Sequence, residues 1–133
     1  MNAVFADTSF FVAGLNQRDA HHVVAKRFSH QFDGSIVTSQ WVMLEVANFF
    51  AASSRRAIAC NFLNSVLADA KVECIPASSN AFADAWTLYQ NRLDKAWSLT
   101  DCLSFQIMQQ RKLREALTSD HHFEQAGFQI LLK

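Results

Sequence analysis

Short apolar runs alternate along this chain with stretches at helical spacing, and that alternation limits the folds open to it. Residues 2–6 form an apolar run that stops at Asp7, and residues 35–38 form a second. A third, at 72–75, stops at Pro76; a fourth spans 116–118 and a fifth 128–132. Between them, Val23, Val24, Arg27 and Phe28 recur at helical spacing behind Asp19, a good capping residue, and Ile58, Phe62, Val66 and Ala70 line one face of another helix. Helices are predicted over 9–15, 20–29, from Ser39 to about 53, over 57–70 and 80–93, and from Ser98 or Thr100 to about 112. A last short helix at 122–126 is stopped by Gly127. Strands separated by helices are joined by crossovers, and crossovers give a mainly parallel sheet covered on both faces, a three-layer α/β/α sandwich. No repeat, linker or low-complexity tract divides the 133 residues, so one domain over 1–133 is expected.

Composition removes other classes. Half the residues are apolar, with 12 Phe against 3 Gly and a single Pro, which excludes disordered and collagen-like chains. The three cysteines, at 60, 74 and 102, are odd in number and have no Cys-x-x-Cys spacing, so a disulfide framework or zinc ribbon is not expected and a reducing compartment fits. Asp7, Asn16, Glu45 and Asn48 interrupt the most apolar stretches before they reach the ~18 residues of a membrane span. The first residues carry no basic stretch, and the expectation is a cytoplasmic protein with no membrane segment. Twelve basic residues balance twelve acidic ones, without the basic excess usual in nucleic-acid binders.

The balance hides where the acids fall. In parallel sheets ligands bind beyond the carboxyl ends of the strands. Asp7 follows the first strand, Asp120 follows the fourth, and Asp101 opens a helix; Glu45, in the first turns after the second strand, can project toward the same edge. Each has an ordinary structural reading. Asp7 and Asp120 can cap helices, and Ser98-Leu99-Thr100-Asp101 fits a capping box. Glu45 lies in the apolar stretch 41–50, expected to be mostly buried, where a carboxylate must be paired, neutralised or metal-bound. As a set, four carboxylates at one edge cannot all ionise without a cation, and oxygen ligands suit Mg²⁺ or Mn²⁺ rather than zinc. The chemistry natural to such a site is phosphodiester hydrolysis. Without these four acids the remaining surface is mildly basic, and Arg55, Arg56, Arg92, Lys95, Arg111, Lys112 and Arg114 are candidates to hold a phosphate backbone.

Four blocks carry a family resemblance: Phe5-Ala6-Asp7-Thr8-Ser9-Phe10-Phe11, Leu44-Glu45-Val46-Ala47-Asn48, the stretch from Trp97 through Asp101 to Phe105, and the stretch from Ala116 through Asp120 to Phe128. In order and at this spacing they resemble PIN-domain proteins, of the small stand-alone kind typified by VapC toxins, over nearly the whole chain. The resemblance implies a Mg²⁺- or Mn²⁺-dependent ribonuclease whose acidic site maps onto Asp7, Glu45, Asp101 and Asp120, with no acid replaced. It implies Asp7 and Asp101 as direct metal ligands and Glu45 as a ligand or as the group that orients water. Asp120 is assigned to a second metal or to a water held by one, and Thr8 or Ser9 to the site or a substrate phosphate. It also implies RNA as substrate, a homodimer, and an antitoxin protein that occupies the acidic groove.

Other residues near these blocks have structural readings. Asp94 is expected to pair with Lys95 or a neighbouring Arg, Trp97 to anchor a loop, and Cys102 to pack in the core. His121 and His122 invite a reading as general bases, but a metal-bound water needs no His, and they are expected to be loop histidines. Two other functions stay open in the sequence. One is a phosphatase using Asp7 as nucleophile, against which the sequence lacks a second Asp two residues on. The other is a non-catalytic PIN-fold RNA-binding or regulatory module.

Overall fold

The computed structural model describes residues 2–52 and 54–133. The chain runs β1 (Ala3–Ala6), α1 (Thr8–Leu15), α2 (His22–Gln31), β2 (Ser35–Ser39), α3 (Gln40–Phe49), α4 (Arg56–Ala68), β3 (Val72–Ile75), α5 (Ser79–Asn91), α6 (Leu99–Gln110), β4 (Glu115–Leu117), α7 (His121–Gln125) and β5 (Gln129–Ile130). The five strands form one sheet in the order β3-β2-β1-β4-β5, and every pairing is parallel. Helices cover both faces, giving the expected three-layer α/β/α sandwich.

Strand order places the site. From β1 the chain builds outward through β2 and β3, then returns to the other side of β1 for β4 and β5. The order therefore reverses between β1 and β4, where Phe5 pairs with Ala116 and Ala6 with Leu117. A crevice opens at such a reversal, beyond the carboxyl ends of the two strands. Asp7 leaves β1 there, its N–H bonded to the Leu117 carbonyl at 3.1 Å, and Asp120 follows β4 three residues on.

Phenylalanines hold the layers together. Phe5 stacks on Phe123 at 6.4 Å, and Phe105 meets Phe123 edge-on at 5.0 Å. A second group joins Phe10 to Phe11 and Phe28, and Phe11 to Phe62. Each fully buried ring contributes about 2–3 kcal/mol by area, and each edge-on pair about 1 kcal/mol more. Cys102 is buried, as expected of a small core residue.

Local signals explain most helix ends. Ser39 and Ser78 accept the N–H groups of Val42 and Ala81. The capping box at the start of α6 is present in both directions, and Gly127 adopts φ +96°. Three expectations shift. Helix α2 begins at His22, because Asp19 first closes a turn, its carboxylate taking the His21 N–H and its carbonyl the His22 N–H. Helix α3 ends at Phe49, and the residue expected to close it, Ser53, lies outside the described residues. The apolar stretch 41–50 is not mostly buried: Val42, Val46 and Phe50 face the core, while Leu44 is 55% and Phe49 61% exposed.

Candidate active site

Asp7, Glu45, Asp101 and Asp120 line one cleft of about 400 Å³, together with Thr8, Ser9 and His122. All six residues singled out from the sequence are therefore brought together. Asp7 stands at the N-cap position of α1, but its carboxylate makes no capping bond. Its Oδ2 instead accepts the Thr118 hydroxyl at 2.9 Å. Burial pushes the Asp7 carboxyl up to about 7, against the pull of the Thr8 N–H and the Thr118 hydroxyl, and with a further push from the Asp101 and Glu45 charges.

Asp101 does make its capping bonds. Oδ2 accepts the Ser98 N–H at 3.1 Å and lies 3.0 Å from Nδ1 of His122. Burial raises its carboxyl above the ordinary range, opposed by the Ser98 backbone and His122. Glu45, half-buried on α3, accepts the Thr8 hydroxyl through Oε1. Asp120 caps α7, taking the His122 N–H through Oδ1 at 2.9 Å.

The donor set suits a hard cation. Oδ1 of Asp7, Oε2 of Glu45, Oδ1 of Asp101 and Oδ2 of Asp120 accept no side-chain hydrogen bond among the described residues. Each carboxylate thus keeps one oxygen clear of side-chain donors, in a cleft where burial disfavours the bare charge of Asp7 and Asp101. An oxygen-rich site of this kind fits a divalent cation such as Mg²⁺, which binds through a few carboxylates and keeps its remaining positions for water and phosphate. Asp120, His121 and His122 also present ligand atoms within 4.8 Å of one another, although His121 is exposed.

Three contributors lie outside the residues that the sequence assigned to the site. Thr118 ties the cleft together: its hydroxyl bonds Asp7, lies 2.9 Å from the Ser9 hydroxyl and accepts the Asp120 N–H at 3.0 Å. A local signal existed, since a Thr two residues before an acid at a strand end forms this turn. His122, read as a loop histidine, reaches into the cleft and bridges Asp101 and Asp120. Asp19 also lines the cleft. Asp94 lies outside it, paired with Arg92 at 3.0 Å, and Trp97 is a buried loop anchor, its indole N–H bonded to Gln125.

Comparison with known proteins agrees with this fold. VapC20 of Mycobacterium tuberculosis, a 23S rRNA-specific endonuclease, is 28% identical over 127 residues, covering 94% of this chain and 95% of that protein. The crystal structure of VapC20, a toxin that cleaves the sarcin-ricin loop, matches with a TM-score of 0.85 at 26% identity, over 94% of this chain and 95% of its own. VapBC2 from Rickettsia felis, solved on a DNA fragment from its promoter, shares the fold at 13% identity, with a TM-score of 0.68 over 98% of each chain. A PIN domain model matches residues 4–129, taking in residues of all five strands and all four carboxylates, and the chain accordingly belongs to the PIN domain family.

Proposed function

We propose that this protein is an endoribonuclease that uses Mg²⁺ or Mn²⁺ to hydrolyse RNA phosphodiester bonds, and that it is the toxin of a toxin–antitoxin pair. The observation that carries the reading is the meeting of Asp7, Glu45, Asp101 and Asp120 in one cleft, each with an oxygen that no side chain of the described residues engages by a hydrogen bond. The likeness to VapC20 supports RNA as substrate and makes ribosomal RNA the first to test.

A bound divalent cation supplies a Lewis acid that activates water for in-line attack and offsets charge on the phosphate oxygens. Asp7 and Asp101 would hold it, their carboxylates fixed by Thr118 on one side and by Ser98 and His122 on the other. Glu45, held by the Thr8 hydroxyl, orients the attacking water. Asp120, fixed as the cap of α7, would hold a second cation or position a water. Ser9 holds Thr118 in place and donates no charge of its own. The protein works as a single domain in the cytoplasm, as a homodimer, and its antitoxin covers the acidic cleft. Among the described residues no helix is long and apolar enough to cross a membrane.

The test is cleavage of total cellular RNA by purified protein with Mg²⁺, Mn²⁺ or EDTA, beside Asp7→Asn prepared identically. Discrete products that need both the cation and Asp7 are expected. Equal cleavage by Asp7→Asn or in EDTA would refute the site, and RNA binding without metal-dependent cleavage would make the protein a binding module.

A further inference from the structure

The acidic cleft does not end at its carboxylates. Ala96 belongs both to the cleft and to a pocket of about 240 Å³ lined by Arg92, Leu93, Lys95 and Trp97. On the other side, Phe49 belongs both to the cleft and to a pocket of about 410 Å³ lined by Asn16, Arg18 and Arg55. The cleft thus shares a wall residue with each of these two depressions, and both carry cations.

A phosphate chain gains nothing from bare carboxylates, so its affinity must come from cations on either side of them. Not every cation is available. Arg92 is clamped by Asp94 through two bonds of 3.0 Å and lies over the Trp97 ring at 4.9 Å, so it serves as a wall. Lys95, half-buried at the pocket edge, and Arg18, exposed after α1, take part in no ion pair among the described residues. Phe49 lines both the cleft and the Arg18 pocket; its ring meets Phe50 edge-on at 5.0 Å, yet it is 61% exposed and offers much of its surface to solvent. A cation beside an exposed ring is the pairing that single-stranded nucleic acid uses, phosphate on the charge and base on the ring.

We propose that a single-stranded stretch of RNA crosses the cleft from one pocket to the other. Arg18 holds a phosphate on one side of the scissile bond, Lys95 holds one on the other, and Phe49 stacks a base beside the carboxylates. This path rests on the nuclease reading above.

The test is binding of a fluorescein-labelled single-stranded RNA to the Asp7→Asn protein in Mg²⁺ buffer, followed by anisotropy over a salt series. Arg18→Ala, Lys95→Ala, Phe49→Ala and, as a control, Lys26→Ala are made in that background; Lys26 is exposed on α2 and lines none of the three depressions. Arg18→Ala and Lys95→Ala should each weaken binding about fivefold at low salt and lower the slope of log K against log salt by about 0.7. Phe49→Ala should weaken binding by about fivefold or more without changing the slope. Lys26→Ala should change neither, and a thermal melt of each variant confirms folding. The proposal is overturned if RNA does not bind, if Arg18 and Lys95 leave affinity and slope unmoved, or if Lys26→Ala costs as much as they do. Cleavage by the wild-type protein is read separately. Cleavage with unmoved slopes would remove the path and keep the nuclease, and shifted slopes without cleavage would do the reverse.

Discussion

Asp7→Asn should make the cation-free protein more stable at pH 8, although it removes a residue of the site. Burial holds the Asp7 carboxyl at about 7 in the folded state, against an ordinary 3.8 when the chain is unfolded. Between those values the unfolded chain has released a proton that the folded chain still binds, so stability from this group is full below pH 4 and is lost as pH rises through 7. A difference of about three pKa units corresponds to a loss of about 4 kcal/mol above pH 7. Asparagine carries no charge to desolvate and can still accept the Thr118 hydroxyl, but its buried amide N–H costs about 1 kcal/mol. The net gain is about 3 kcal/mol, or about 10 °C in Tm for a chain of this length. The assay is thermal unfolding of both proteins in EDTA across pH 4 to 8. The gap should be largest at pH 8 and vanish or reverse near pH 4. Added Mn²⁺ should then stabilise the wild type by about 2.7 kcal/mol at a hundredfold excess over Kd, raising its Tm, and leave Asp7→Asn almost unmoved. A variant no more stable than wild type at pH 8, or a gap independent of pH, would refute the reasoning.

Thr118→Val should move the acid limb of the cleavage profile to higher pH, because the lost hydroxyl favours the Asp7 carboxylate; Thr118→Ser should restore it, as a pH–rate profile of the three proteins would show. His122→Ala removes the ring nitrogen bonded to Asp101 and should raise the metal concentration for half-maximal cleavage by about 10–100-fold, read by Mn²⁺ titration, whereas an unchanged midpoint would make His122 structural only. Gly34→Ala should destabilise the fold by about 2–3 kcal/mol in a denaturant melt, since a Cβ there meets the Phe32 ring and comes within 2.5 Å of the Asn2 carbonyl, which is fixed by its bond to the Ser35 N–H.

What the sequence made legible was local or periodic. The capping box at Ser98 and Asp101 and the stop at Gly127 were readable because both are decided within a few residues. The four acids were readable as a set because strand ends in a parallel sheet fall along one edge, so Asp7 and Asp120 converge without any knowledge of their partners. Side-chain direction was not readable to the same degree. The stretch 41–50 carries enough apolar residues for burial on every side, yet composition does not say which face meets the sheet, and Leu44 and Phe49 emerge exposed. Least legible were bonds between distant parts of the chain. Thr118 reaches Asp7 across 111 positions and His122 reaches Asp101 across 21. No propensity encodes such a bond, because its free energy exists only once β1, β4 and α6 have docked. The carboxylates therefore announce the chemistry in the sequence, while the groups that set their charge and aim are specified by the fold. This division places the most informative substitutions at Thr118 and His122 rather than at the acids: loss of activity on removing an acid is expected of any nuclease site built on it, whereas removing its support predicts a shift in pH or metal dependence that only this arrangement requires.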